Sequence, residues 1–296
     1  MTEQTKITEL VSKKYKKQSR TTHIFRSLIR SKSSMAGLII FALMFVAFIA
    51  SLLISWDSIV RMNPMAMYAK PSWEFPFGAD NFGRNLFLRV IYGTRYTFAI
   101  GLGAVSIAGL IGISVGSFAG FYGGRVEDVI MRCTDALSAI PGILLGMVIV
   151  TVLGQSLQNL IIAVGIQATP IYIRMTRASV STVRNAEFVE SAKAVGFSDL
   201  RIIFTKVLPN GLAPIIVTAT TNLGAVILVA SSLSFLGLGV PYPHPEWGFL
   251  TADARLYSIH APHLMMFPGL FIMLTVLAFN MLGDGLRDAL DPKMKR

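Results

Sequence analysis

The chain has 296 residues, of which 53% are hydrophobic and 15% are charged. A typical soluble domain carries roughly 25% charged residues, so this composition excludes an ordinary water-soluble enzyme or binding domain. The net charge is +11, but the basic residues flank long apolar blocks, whereas a nucleic-acid binder would carry them as a stripe on a folded domain. This arrangement is typical of a protein that lies in a membrane and contacts its charged surface.

Six apolar stretches are predicted to cross the membrane as helices, since about 20 apolar residues span a hydrocarbon core roughly 30 Å thick. The stretches cover residues 35–55, 98–121, 136–154, 160–173, 212–239 and 263–282. Prolines lie in or near four of them, namely Pro141, Pro170, Pro214 and Pro268. Because each proline removes a backbone donor, local breaks are expected there. We therefore predict an all-α polytopic membrane protein with six transmembrane helices.

The basic residues also predict how the chain is organised across the membrane. The predicted parts are a basic segment 1–34, a first span 35–55, an extracytoplasmic loop 56–95, a core of spans two to six at 96–282 and a tail 283–296. With both termini in the cytoplasm, 21 of the 27 Lys and Arg residues fall on the cytoplasmic side and six fall outside. Because cytoplasmic loops are enriched in Lys and Arg, we predict the N-in, C-in orientation.

Small residues recur every four positions in the second span. They are Ala104, Ala108, Gly112, Gly116 and Gly120. Such a row lets another helix backbone approach closely. This span is therefore expected to be buried among other helices.

The loop at 182–209, between spans four and five, is predicted to fold as helix, glycine turn, helix. Its first apolar face contains Phe188, Val189, Ala192 and Val195, and its second contains Leu200, Ile203, Phe204 and Val207. Gly196 is a natural helix terminator, and Ser198 can cap the helix that follows. Pro209 is expected to mark the entry to the fifth span. The pattern fits either an interfacial helix on lipid headgroups or a helix that docks into a groove of a cytoplasmic partner.

Polar side chains in the fifth span are candidates for a hydrated path through the membrane. Those selected are Thr218, Thr221, Asn222 and Ser231. They could equally bond to neighbouring helices.

The chain has no Gly-x-x-x-x-Gly-Lys-Ser/Thr sequence, so ATP hydrolysis must come from another polypeptide. The span interiors also lack a proton relay of Asp, Glu or His, which disfavours a secondary transporter. A simple channel or structural membrane protein would not need a docking helix.

Motifs over most of the chain resemble a known family. In the loop, Glu190-Ser191-Ala192, Gly196 and Leu208-Pro209 look like the Glu-Ala-Ala loop of ABC importer permeases, with Ser191 in place of an Ala. Residues 35–296 resemble the C-type subunit of the dipeptide/oligopeptide permease branch. The matching motifs lie at 77–80 with 83–84, 121–124, 233–239, 247–248, 267–269 and 283–292, the last containing Gly-Asp-Gly-Leu-Arg-Asp.

The resemblance implies a type I ABC importer permease fold and a place for the loop against an ATPase. The coupling residues it implies are Phe188, Glu190, Ser191, Ala192, Gly196, Phe197, Leu208 and Pro209. ATP and Mg would bind to two cytoplasmic ATPase subunits, so no catalytic residue, cofactor or metal is expected in this chain. The other implied partners are a second homologous permease subunit, an extracytoplasmic solute-binding protein and membrane lipid, with no nucleic acid.

The resemblance further implies a bacterial or archaeal cytoplasmic membrane and import of di- or oligopeptides. Nickel chelates, glutathione and other small solutes use similar subunits and remain alternatives to peptides.

Overall fold

The computed structural model describes residues 28, 29 and 31–290. Most of the predicted segment 1–34 and the last six residues of the predicted tail therefore lie outside the described residues. Within the described range the chain is helical, and one isolated antiparallel bridge joins Ala79 to Asn85. The predicted all-α class is confirmed.

Eleven α-helices are described within residues 31–290. They are α1 Lys32–Leu53, α2 Trp56–Val60, α3 Leu86–Tyr122, α4 Gly124–Ser138, α5 Gly142–Leu153, α6 Leu157–Val183, α7 Glu187–Ala194, α8 Asp199–Ile202, α9 Leu208–Leu233, α10 Trp247–Ala254 and α11 His263–Leu290. Short π-helical turns at Ile203–Val207 and Ser234–Leu238 continue the chain from α8 through α9. That helical run extends from Asp199 to Leu238 and has 40 residues, with a non-helical φ of +83° at Gly237 near its end.

Length and apolar composition identify four, or up to five, of the six predicted membrane crossings within the described residues. Four helices are long and apolar enough to cross a membrane, namely α1, α3, the continuous helix Asp199–Leu238 and α11. The bent pair α4 and α5 supplies a fifth segment. The predicted fourth span corresponds to α6, whose 27 residues reach about 40 Å at 1.5 Å per residue. It is more polar than the others and packs against α3, α5 and α9.

One of the four expected proline breaks is found and three are not. The third span is bent, because α4 and α5 meet at an angle of 83°. That bend lies at Pro141, where a break was expected. The other three prolines, Pro170, Pro214 and Pro268, lie inside continuous helices. One lost hydrogen bond does not break a helix whose flanking turns are long and packed against neighbours.

Other boundaries differ because helices extend beyond their apolar stretches. The helix α3 begins at Leu86, inside the predicted loop 56–95, where the Asn85 side chain accepts a hydrogen bond of 3.2 Å from the Leu88 N–H. The helix α11 continues to Leu290, so residues 283–290 are not a separate tail. Apolar runs predict the part of a helix that lies in lipid, whereas helix ends are set by capping groups and protein contacts.

The small residues of α3 pack directly against α6, as the row predicts. A Cβ added at Gly116 would lie 2.6 Å from the carbonyl oxygen of Ile173, and one added at Gly120 would lie 2.6 Å from that of Arg177. Ala104 and Ala108 are fully buried in the same contact. Small side chains bring these two backbones into close contact.

The predicted loop 56–95 folds into a compact cap over one end of the helices. The Asp80 carboxylate accepts a 2.7 Å hydrogen bond from Arg84 Nε and lies 3.6 Å from Arg89 Nε. Both arginine side chains are fully buried. The Trp247 indole N–H donates to the Val90 carbonyl at 2.8 Å. These contacts join the cap to the start of α3, and α3 to α10.

The α3–α6 contact predicts that substitution of alanine for glycine destabilises the protein at one position of α3 and not at another. In Gly116→Ala the new methyl would meet the Ile173 carbonyl oxygen and, at 2.8 Å, the Thr176 Cβ, so we expect a loss of about 1–3 kcal/mol of stability from overpacking. Gly109→Ala is the matched control, because its Cβ would meet nothing within 4 Å. Thermal unfolding in detergent measures both variants, and equal melting temperatures would contradict the packing role.

Burial of Glu246 predicts a pH dependence of stability. Burial raises the pKa of this carboxyl, which caps α10, while hydrogen bonds from the Gly248 and Phe249 N–H groups oppose the rise. Because the pKa of Glu246 is raised in the folded state, its protonated carboxyl stabilises the fold fully below the ordinary value of 4.5. That contribution to the free energy of unfolding is lost as the pH rises through the raised value. Glu246→Gln keeps an acceptor but cannot ionise. We expect its melting temperature to fall less than that of the wild type between pH 5 and pH 8; an equal fall would contradict the assignment.

Candidate functional site

The loop after α6 folds as the predicted helix, glycine turn and helix. Gly196 has a φ of +86° and ends α7. Its N–H donates to the Lys193 carbonyl at 2.9 Å, and the Phe197 N–H donates to the Ala192 carbonyl at 3.1 Å. This pair of bonds is the Schellman arrangement, which favours glycine because of the positive φ. The second helix starts at Asp199, but it continues without a break into α9 past Pro209.

One side of the loop is packed onto the ends of the long helices. Its buried apolar residues contact Phe121 of α3 and Val180 of α6, and they are Val189, Ala192, Ile202, Ile203 and Val207. The Lys193 ammonium group lies 5.2 Å from the centre of the Phe121 ring. A displacement of the loop would therefore act directly on α3 and α6.

The opposite side of the loop is apolar and exposed. This surface, which we call the loop face, consists of Phe188, Val195, Leu200 and Phe204, whose exposed fractions are 42%, 75%, 54% and 43%. Each of the two apolar faces predicted from the sequence is thus divided between the packed side and the exposed side. Exposed apolar patches with a polar rim are typical of interaction sites.

The coupling residues implied by the resemblance lie on both sides of the loop. Glu190, Ser191, Gly196 and Pro209 are exposed alongside Phe188, whereas Phe197 and Leu208 are half-buried and Ala192 is buried. Phe197 lies beneath the Arg201 guanidinium, 4.4 Å from its ring centre. Glu190 makes no ion pair with the described residues. Its carboxylate is thus free to meet a group from outside the chain.

A cavity of about 300 Å³ lies between α4, α5, α6 and α9. We call it the membrane cavity. Its wall is mostly apolar, with polar groups from Ser138, Gln167, Arg174 and Asn222. Arg174 Nη2 donates to Asp135 Oδ1 at 2.8 Å and to Ser138 Oγ at 3.0 Å. A hydrated cavity bounded by several spans is a suitable place for a solute path.

The four predicted path residues do not come together. Asn222 lines the membrane cavity, and its Oδ1 is buried without a hydrogen bond from the described residues. Thr218 lines a smaller cavity of about 210 Å³ near Arg287. Thr221 contacts Gly283, and Ser231 is buried against Gly248. Sequence periodicity could not separate these roles, because it does not show which neighbour each face of α9 meets.

Three polar residues of the membrane cavity were missed by the sequence analysis. Gln167 lies within the predicted fourth span, Arg174 lies just beyond it, and Ser138 lies within the predicted third. The available signal was the spacing of Gln167 and Arg174, which are seven residues apart and share one face of a helix. The fourth apolar stretch ends at residue 173, so apolar length alone left Arg174 outside the span.

Comparison with known proteins identifies related chains. The family model described as "Binding-protein-dependent transport system inner membrane component" matches residues 112–296. The dipeptide transport system permease protein DppC of Alkalihalophilus pseudofirmus is 46% identical over 92% of this chain and 89% of that protein. The di/tripeptide transport system permease protein DppC of Pseudomonas aeruginosa is 42% identical over 92% and 91%. The glutathione transport system permease protein GsiD of Pectobacterium atrosepticum is 41% identical over 88% and 86%.

Solved structures support the same fold. A chain of the MetNI methionine ABC transporter, crystallised in inward-facing conformations, matches with a TM-score of 0.56 and 18% identity. The match covers 69% of this chain and 97% of that chain. At this identity the likeness establishes the helical architecture and no more.

Proposed function

Because the chain belongs to the family of binding-protein-dependent transport system inner membrane components, we propose that it forms half of the path by which an ATP-driven importer takes up short peptides. The chain is a membrane-embedded permease subunit of an ABC importer, and energy enters through separate ATPase subunits. The observation that carries the coupling mechanism is the loop face, an apolar surface that nothing in the described chain covers.

A protein partner suits the loop face better than a lipid surface does. Helices that lie on anionic headgroups carry Lys and Arg on their polar side. Here the first turn of α7 is acidic, with Glu187 and Glu190, and Lys193 is the basic residue of its last turn. Acidic residues beside exposed Phe188 suit a groove that offers an apolar pocket and basic side chains. We assign that groove to a cytoplasmic ATPase, which holds ATP and Mg.

The packed side of the loop supplies the mechanical link. ATP binding draws the two ATPases together, and a loop held in one of them moves with it. The cluster around Val189 and Ile203 transmits that displacement to Phe121 and Val180 at the ends of α3 and α6. Since α6 also lines the membrane cavity, the movement changes access to the cavity. ATP acts by stabilising the two end states differently.

The same proposal assigns positions to the other subunits of the importer. A second homologous permease would cover the open side of the membrane cavity, where α5 exposes Ile143, Leu144 and Val148. The bias of Lys and Arg supports a cytoplasmic position for both termini. The cap formed by residues 56–85 then lies outside, where a solute-binding protein delivers the solute.

Peptides are the proposed solutes because of the relatives' own transport names. Those names specify dipeptides, di/tripeptides and glutathione, which is itself a tripeptide. A nickel chelate or another small solute is the alternative. If the partner binding protein retained such a chelate, the assignment of the solute would change but the proposed transport role would not.

Charged substitutions on the loop face test the docking role. Phe188→Asp and Leu200→Asp should each reduce ATP-driven uptake by about tenfold or more, because a buried anchor at an interface contributes about 2 kcal/mol or more. Copurification of the ATPases and peptide uptake by proteoliposomes measure the effect. Leu256→Asp, at another exposed leucine on the proposed outer side, is the matched control and should retain the ATPases. Intact assembly and uptake in both loop variants would contradict docking.

Cysteine labelling tests whether the membrane cavity is the water-filled path. The exposed Cys133 is first replaced by Ser. In the assembled complex, Asn222→Cys and Gln167→Cys should then react with a charged, membrane-impermeant thiol reagent. Ser231→Cys should not react, because that position is buried against α10. Reaction at position 231 together with protection at positions 167 and 222 would place the path elsewhere.

A further inference from the structure

Three polar groups of the membrane cavity have unused hydrogen-bonding capacity. Asn222 and Gln167 make no side-chain hydrogen bonds with the described residues, and Asn222 Oδ1 is buried. A Cβ at Gly142 would collide with the Gln167 amide, so that amide is held against the bend between α4 and α5. Arg174 uses Nη2 for Asp135 and Ser138, which leaves its Nε and Nη1 donors unbonded by the described residues. The cavity therefore offers amides and a cation to whatever enters it.

Such groups are costly unless a polar partner reaches them. The rest of the wall is mostly apolar, including Leu137, Ile140, Leu145, Val226 and Val229. Unsatisfied polar groups and charges within membrane spans are unfavourable, and those that occur commonly mark solute pathways. A dry structural cavity would need none of these three side chains.

The Arg174–Asp135 ion pair is one of two that join α4 to α6. Arg177, one turn further along α6, also pairs with Glu127 of α4. The Arg177–Glu127 pair is the less exposed of the two, since the Glu127 side chain is 18% exposed and that of Asp135 is 64% exposed. The same two helices are thus joined by two ion pairs. Arg174, from the more exposed pair, lines the membrane cavity. That position suits a cation that contacts a solute.

The spacing of the polar groups matches the length of a short peptide. Gln167 and Arg174 are seven residues apart on α6, which corresponds to about 10 Å along the helix axis. An extended tripeptide reaches roughly the same distance at 3.3–3.6 Å per residue. Its carboxylate would then meet the guanidinium while its backbone amides meet the carboxamide groups.

We propose that Arg174 binds the terminal carboxylate of a short peptide in the membrane cavity, and that Gln167 and Asn222 contact the peptide backbone. This assignment rests on the proposed peptide-import function and makes Arg174 a specificity residue within it. Charge-assisted hydrogen bonds are the stronger class, and arginine suits carboxylates. Asp135 keeps the guanidinium oriented when no peptide is present.

The test compares radiolabelled trialanine with trialanine amide in the full reconstituted importer. Both are supplied at concentrations that saturate the binding protein, and uptake is measured per ATP hydrolysed. We expect Arg174→Gln to lower trialanine uptake about tenfold, the effect of one charge-assisted hydrogen bond, and to leave amide uptake within about twofold. Arg174→Lys should retain a preference for the carboxylate because it keeps the charge.

Two further variants separate recognition from bracing. Asp135→Asn breaks the ion pair but keeps the guanidinium, so it should preserve the preference for trialanine over its amide. Arg132→Gln, at an exposed arginine of α4 outside the cavity, is the matched control and should behave as the wild type. This inference is overturned, and the proposed function is not, if Arg174→Gln lowers the uptake of trialanine and of its amide equally. The same holds if Arg174→Gln leaves the wild-type preference for trialanine unchanged. A wild-type complex without ATP-driven uptake of either peptide would overturn the proposed function and this inference with it.

Discussion

The close contact between α3 and α6 is the constraint on which the rest of the structure depends. In a bilayer no hydrophobic force drives helices together, so packing must come from complementary surfaces. The glycines at 112, 116 and 120 let the α3 backbone approach Tyr172, Ile173 and Arg177 of α6. A helix as polar as α6 is stable in the membrane because one side is covered by α3 and another faces the membrane cavity. Those two contacts fix the directions of its polar residues.

The position of α6 links the membrane cavity to the loop, the two surfaces of the proposed function. Its middle carries Gln167 and Arg174 into the membrane cavity, and its end carries Val180 into the cluster beneath the loop. A rigid helix of 27 residues can transmit a displacement from one to the other without any rearrangement of its hydrogen bonds. The bend of 83° between α4 and α5 forms a wall of the same cavity. Movement of α6 relative to that bend would open or narrow the space between them.

The loop shows how a short segment can serve two contacts at once. Its helices are apolar on two sides, so Val189 and Ile203 pack inward while Phe188 and Leu200 remain exposed. The positive φ at Gly196 sets the angle between the two helices. A single amphipathic face would satisfy either the permease or a partner, but not both. In the proposed importer, this division would let the loop be held by one protein and still act on another.

The sequence by itself determined the membrane class, the small-residue row and the helix–glycine–helix loop, because each depends on local composition or spacing. It did not determine that α4 and α5 bend at Pro141 while Pro170 and Pro214 leave their helices continuous. Nor did it separate Asn222, which lines the cavity, from Thr221 and Ser231, which pack against neighbours. The tertiary structure decided these points, since the neighbour that each helix face meets depends on residues far away in the chain.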